Sequence, residues 1–541
     1  MASRFVRRVR TASGAVAVQI VDKVGGDVVA VEHIGSAHTD AELALLLSVA
    51  RERLHPGQGE LDLGALPEVA TRTEDVADWT RREPVVDNEE LAFDAGESGS
   101  GARPPLVAGG GRVVGTSSLL LWEVLGAAYD RLGFDALDDA AFKALVLGRI
   151  VEPTSKADTI RVLGDLGVPA PSLRTIFRTL TRCIERDYRD TLAKACLAHS
   201  ASTTAGRASL VLYDVTTLWF EIENEDKFRK VGMSKERRVD PQIQVGLLVD
   251  PAGFPLEVHC FEGNTAETRT LIPVLQAFQE RHGISDMVVV ADAGMLSAAN
   301  LLALEDAGFA FIVGSRISKA PYDLAEHFQR KGDYFADGQI LESARMMGTG
   351  KNARERRVVY QFSRKRSRRD DRAINAMVER AEKVAAGTRP VKKDRFVTLD
   401  GADKAVDWAL VDRARRLAGL KGYVTNIPVA TMAGQSVISA YHDLWQVEKS
   451  FRMTKSDLRA RPVFHHQRDS IEAHLTIVFA ALAISRHLQD AASVSIRKIV
   501  TTLRSARSAI IRINGQRMTL EPDLTPAARE LLTALGRDPG N

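Results

Sequence analysis

Apolar and polar positions change period several times along the chain, and each change marks a different kind of element. Residues 14–33 (GAVAVQIVDKVGGDVVAVEH) carry two short β-branched runs around Gly25-Gly26, which predicts a hairpin. From Asp40 the pattern AELALLLSVARERL has helical spacing. Between about Thr71 and Arg112 the chain turns acidic and then rich in Gly, Ser and Pro, the texture of a linker. Residues 116–200 return to a helical period, in segments such as LLLWEVLGAAYDRL and SLRTIFRTLTRCIERDYRDTLAKACLAH. Such a unit suits DNA binding, a scaffold or dimerisation.

At Ser209 the pattern changes again. SLVLYDVTTLWFE predicts a strand through Asp214, and IQVGLLVD with PLEVHCFEG around Pro251-Ala252-Gly253 predicts an antiparallel hairpin. AETRTLIPVLQAFQERHG reads as an amphipathic helix ending at Gly283. MVVVAD is a wholly apolar strand stopping on Asp292, as expected of a strand buried on both faces. A helix (LSAANLLALEDAG) and a fifth strand (FAFIVGS, to Ser315) follow. The order β-β-β-α-β-α-β predicts a mixed sheet with helices on its faces. Residues 316–428 break that order with strand-like pieces, a basic cluster and a charged helix. Helical spacing resumes near Ala433.

This divides the chain into 1–70 (hairpin plus helix), 71–115 (linker), 116–204 (helical, a DNA-binding candidate), 205–315 (first part of an α/β domain), 316–428 (an inserted β-rich basic module), 429–510 (second part) and 511–541 (a C-terminal tail). The length agrees with several domains. Composition adds constraints. Three cysteines, Cys183, Cys196 and Cys260, form no CxxC pair, which argues against a disulfide scaffold or cysteine zinc site and fits a reducing cytosol. The ten-residue LTIVFAALAI is half a membrane span and reads as a buried helix, so no membrane is expected and a cytoplasmic location is. No GxxxxGK[ST] loop is present, so no nucleotide cofactor is expected.

A net charge of +3 decides little, but its distribution is uneven. Ten Lys or Arg face three acids between Lys351 and Arg372, with Arg364, Lys365, Arg366, Arg368 and Arg369 at its centre. That cluster is either a phosphate-binding surface or a solvated basic loop.

Three acids carry the candidate chemistry. Asp214 lies in an apolar strand, where an ionised carboxylate is costly unless paired or metal-bound. Asp292 ends a buried strand, where ligands gather in open sheets. Each also has a bland reading: Asp214 as a partner of a core arginine, Asp292 as a helix cap. On a continuous helix Tyr441, Leu444, Glu448, Phe451 and Lys455 would share an arc of roughly 80°, which points Glu448 toward the protein body. Three such acids call for cations, and two Mg2+ ions, with Mn2+ as substitute, suit hard oxygen donors and in-line phosphoryl transfer. Lys455 is placed to hold a DNA phosphate. His465-His466 lacks a matched ligand set and reads as a surface or core pair.

On these motifs the chain resembles the cut-and-paste DDE transposases of bacterial insertion sequences, over about 205–490. That resemblance implies an RNase H-like catalytic domain with Asp214, Asp292 and Glu448 as catalytic metal ligands. One branch carries a β-rich insertion and a Tyr-x2-Arg-x3-Glu-x6-Lys signature. Tyr441, Glu448 and Lys455 match it, while Leu444 stands where the family has Arg. GMSKERRVD and FEGNTAE are similar to recurring segments of that branch, which makes Lys235, Arg237 and Arg238 candidate DNA contacts beside Tyr441 and Lys455. The resemblance further implies terminal inverted repeats and target DNA as partners and a homodimer on paired ends. Relatives free the transposon end through a DNA hairpin, holding a flipped base against an aromatic side chain. Trp408 is a candidate for that role or a core residue. Two alternatives remain: an RNase H-like nuclease that does not join, and a transposase-derived DNA-binding protein without catalysis.

Overall fold

A computed structural model of the protein describes residues 2–10, 16–24, 27–37, 112–203, 210–222, 224–232, 240–284, 287–293, 298–315, 324–332, 334–348, 350–390, 394–400, 403–461, 463–513 and 516–538. The chain divides into two units, 1–104 and 105–541. In the first, strands β1 (Ala2–Arg10), β2 (Val16–Val24) and β3 (Asp27–Ala37) form an antiparallel sheet. Val24 pairs with Asp27, so β2 and β3 form the expected hairpin. The helix expected from Asp40 and residues 71–111 of the linker expected over 71–115 lie outside the described residues, whereas 112–115 belong to a strand and not to a linker.

The second unit opens with β4 (Arg112–Ser117) and the helices Leu119–Arg131, Ala140–Val151, Lys156–Asp165, Leu173–Glu185 and Tyr188–Thr203. Short polar side chains start three of them. Asp139 accepts from the backbone N–H groups of Ala141 and Phe142, Ser155 from Asp158 and Ser172 from Thr175. Asp139 also receives Arg182 and Tyr188, which locks two further helices onto that cap.

The main sheet has eight strands among the described residues. They are β5 (Leu210–Trp219), β6 (Gln242–Val249), β7 (Pro255–Glu262), β8 (Val288–Ala291), β9 (Ala310–Ser315), β10 (Ile340–Met347), β11 (Arg354–Phe362) and β14 (Leu420–Thr425). Their order is β10-β11-β14-β9-β8-β5-β6-β7. β5 pairs antiparallel with β6 and parallel with β8, and β8 pairs parallel with β9, an arrangement consistent with the RNase H-like fold. All four residues of β8 except half-buried Val288 are buried, as its apolar run predicts.

Residues 316–428 do not stand apart as a β-module. β10, β11 and β14 extend the main sheet beyond β9, with β14 antiparallel to it. The remainder, a ribbon of β12 (Val397–Asp400) and β13 (Asp403–Val406) with helices Arg364–Ala385 and Trp408–Arg416, has its own small core of Ile374, Val378, Phe396 and Val411. Residues 511–541 are not a loose tail either. β15 (Ser508–Ile513) pairs with β4 and with β16 (Gln516–Leu520), and a helix follows at Pro526–Ala534. The apolar run near Leu475 sits in a 25-residue helix, Arg468–Ala492, long and apolar enough to cross a membrane. It is instead the central core helix, with 89% of its apolar window buried in the protein.

Candidate active site

The sheet register brings two of the three acids together. Pairing runs Leu210↔Val288 to Leu212↔Val290 between β5 and β8, and carried on by two residues it sets Asp214 beside Asp292. The same row continues through Leu247 and Val258 on one side. On the other, Ala291↔Val313 carries Asp292 to Gly314, and Gly314 pairs with Tyr423. Residues directly opposite one another share a face. Asp214, Asp292, Gly314 and Tyr423 therefore line one face, while Tyr213 points to the other, where its hydroxyl donates to Thr270 Oγ1 at 2.9 Å.

Tyr441 closes over this row. Its hydroxyl donates to Asp292 Oδ1 at 2.8 Å, and its ring stands edge-on to Tyr423 with centroids 4.9 Å apart. Gly314 makes room for it. A Cβ at that position would lie 2.8 Å from Tyr441 Cζ and 2.9 Å from Cε2, closer than real side chains approach. Burial, then the hydrogen bond to Asp292 and its charge, push the Tyr441 hydroxyl well above its ordinary pKa, so it stays a donor. Neither Gly314 nor the Tyr441–Asp292 bond was foreseen. A glycine inside the apolar strand FAFIVGS was the available signal.

The helix carrying Glu448 differs from expectation. Tyr441 belongs to the helix Gly434–His442 and Glu448 to a second one, Trp445–Ser456, separated by a turn at Asp443-Leu444. The single face drawn through Tyr441 and Lys455 is therefore interrupted. Val447, Ser450 and Phe451 form the buried side, with Ser450 Oγ donating to the Gly253 carbonyl at 3.0 Å, whereas Glu448 is exposed. The helix packs on β5 and β6. Its acid thus faces solvent and not the protein body, because the inward positions are taken by the residues that hold the helix down. Lys455 is half-buried, and Leu444 packs against the main core.

The donor set is oxygen alone, and two neighbouring carboxylates fit a hard divalent cation. Among the described residues no three His, Cys, Asp or Glu side chains are gathered closely enough to ligate one ion.

Positive charge borders the acids. Lys421 Nζ lies 5.1 Å from the centre of the Tyr441 ring, a contact the sequence did not single out. Burial and then the Arg366 charge lower the His442 pKa, and the same charge opposes the rise that burial gives Tyr423. Arg366 opens the helix Arg364–Ala385, where Ser363 Oγ accepts from its N–H. Arg364, Lys365, Arg366, Arg368, Arg369 and Arg372 line one groove of about 710 Å³. The basic cluster is thus a helix start, where the backbone dipole adds to the side-chain charge. Lys235, Arg237 and Arg238 lie outside the described residues. Trp408 is 50% exposed, which removes its reading as a core residue.

The chain matches the family model described as "Transposase DDE domain" over residues 205–484, and it belongs to that family. The span takes in β5, β8 and the Glu448 helix. Solved structures similar to it include the piggyBac transposase synaptic complex with hairpin DNA (12% identity, 72% of this chain and 69% of that one, TM-score 0.33). Two Mos1 structures, a paired-end complex with the left transposon end and a pre-cleavage transpososome, match at 15% identity and TM-score 0.15. They cover 41% of this chain, which spans 62% and 63% of theirs. No curated protein sequence matches the chain.

Proposed function

We propose that the protein is the transposase of a bacterial insertion sequence of the Tyr-Arg-Glu-Lys branch, which cuts DNA at the element's ends and joins it to target DNA. The observation that carries the reading is the row Asp214–Asp292–Gly314 on the central strands of a DDE-family sheet, with Tyr441 fixing Asp292. Asp214 and Asp292 would hold divalent metal, Mg2+ or Mn2+, with Glu448 as the third carboxylate. When bound, two such ions activate an attacking oxygen and stabilise a leaving one in an in-line displacement. Tyr441 donates its proton to Asp292 Oδ1 and so limits the orientations that carboxylate adopts. Exposed Glu448 leaves the approach to the acid pair open for a duplex, and the Arg364–Arg372 groove offers positive charge along it. Terminal inverted repeats and target DNA are the substrates, paired ends call for a homodimer, and the protein works at the nucleoid in the cytoplasm.

Product analysis tests this. A duplex carrying the element's own end is incubated with supercoiled target and Mg2+, and products are resolved on denaturing gels. Joined strands are expected. Cleavage without joining would make the protein a nuclease, and binding without cleavage in Mg2+ or Mn2+ a transposase-derived DNA-binding protein.

A further inference from the structure

Away from the acids, four basic side chains meet where the helical region touches the segment after the Glu448 helix. Arg149 comes from the helix Ala140–Val151, Lys156 begins the helix Lys156–Asp165, and His465 and His474 lie at and beyond residues 457–467. Lys156 Nζ contacts His465 Nε2, and the two histidine rings are 5.4 Å apart. Arg149 Nη2 reaches His474 Nε2 at 3.4 Å and donates to the Arg459 carbonyl at 2.8 Å. Its Nε is buried with no hydrogen-bond partner, and His474 is 5% exposed. Arg149, Lys156 and His474, with Thr154 and Thr159, line a cavity of about 20 Å³.

Among the described residues no carboxylate pairs with Arg149, Lys156 or either histidine. Asp158, two residues beyond Lys156, is taken by Thr154 and Arg161. Lys156 also sits at the positive end of a helix dipole, where a cation is disfavoured. Burial, with the Arg149 charge behind it, lowers Lys156 to about 7, and burial with the Lys156 charge lowers His465 to about 4. A charged arginine with an unmade donor, set among other bases and without a counter-ion, is costly unless an anion completes it. The cavity admits a single water-sized atom and not a whole phosphate ion.

We infer that this cluster is a phosphate subsite: the cavity takes one non-bridging oxygen of a DNA backbone phosphate, held by Arg149 Nε and Lys156 Nζ, while the rest of the phosphate stays outside. The assignment of DNA as the source rests on the transposase reading; the anion site itself does not. The Val463 N–H bonds the Trp219 carbonyl at the end of β5, which ties this segment to the strand that carries Asp214. The subsite therefore grips the same duplex at a fixed offset from the acids.

The test uses the full chain, Lys156→Met and Lys156→Arg, each checked for folding by circular dichroism. Thermal unfolding is followed in sodium phosphate and in sodium chloride of matched ionic strength, and duplex binding is titrated against salt. Phosphate is expected to raise the melting temperature of the wild type and of Lys156→Arg more than that of Lys156→Met. The Lys156→Met binding slope, log K against log salt, is expected to fall by about 0.9, one phosphate contact. An equal phosphate response in all three proteins overturns the site. A phosphate response lost in Lys156→Met with an unchanged slope overturns DNA as its source and leaves a free-anion site. Failure of the wild type to bind any duplex refutes the transposase reading, and the phosphate arm still decides the site.

Discussion

Gly314→Ala isolates the part of the site that packing controls. The added methyl would lie 2.8–2.9 Å from two ring atoms of Tyr441, where carbon atoms prefer roughly 3.5–4.0 Å. The ring has little room to yield, since Tyr423 stands against it and Lys421 covers it. A shift of about 0.7–1 Å relieves the contact and stretches the 2.8 Å bond to Asp292 past useful length. Overpacking of this size costs about 1–3 kcal/mol of stability. The lost bond to a carboxylate is worth about 1.5–3 kcal/mol, and the lower end applies because Asp292 is exposed. At 1.36 kcal/mol per tenfold that predicts a cleavage rate lower by about tenfold. Single-turnover cleavage of an end duplex in Mg2+ measures it, beside Tyr441→Phe and the double variant. Tyr441→Phe removes the bond without the clash and should lose about as much rate with little loss of stability. Because both changes remove one interaction, the double variant should cleave about as fast as either single one. Wild-type cleavage by Gly314→Ala, or multiplying losses in the double variant, would refute the claim that Tyr441 acts through Asp292.

Three further outcomes are expected. Arg356 on β11 is 2% exposed and makes a two-bond pair with Glu305, both bonds 2.8 Å, so Glu305→Ala strands a buried charge and should cost about 3–5 kcal/mol in urea unfolding. Replacing Arg364, Arg368 and Arg369 together by Ala should lower the salt slope of DNA binding by about 2–3, whereas an unchanged slope would return the cluster to a solvated surface. Burial pushes the Glu257 carboxyl up, but His259 Nε2 at 2.7 Å, His282 Nε2 at 3.6 Å and the Arg281 guanidinium, which donates to Oε1, outweigh it and leave it at about 2. A depressed carboxylate stabilises fully above its ordinary value of 4.5 and loses that contribution as pH falls toward 2. The unfolding midpoint of wild type should therefore fall over that window, and Glu257→Gln should flatten the fall.

Much of the sheet was legible because its signals are local. The run through Asp214, the Pro251-Ala252-Gly253 turn, the apolar strand stopping at Asp292 and the helix ending at Gly283 all depend on neighbours a few residues away. Gly283 indeed takes the left-handed conformation, with φ 63°. What the pattern could not supply was partner choice. The pairing of β4 with β15 joins residues almost four hundred positions apart, and β10, β11 and β14 read as strands without any sign that β9 receives them. Helical spacing ran through the turn at Asp443-Leu444, whose residues keep right-handed helical angles, so the exposure of Glu448 was misjudged. Arg149, Lys156, His465 and His474 are separated in sequence by up to 325 residues and meet only through packing.

Cleavage of a labelled duplex bearing the element's end, with and without Mg2+, comparing wild type with Glu448→Gln, tests the central claim most directly. Metal-dependent cleavage at the end that disappears in Glu448→Gln, while DNA binding persists, is the predicted result. Glu448→Gln cutting as fast as wild type would contradict the acid triad, since exposed Glu448 would then have no part in the chemistry.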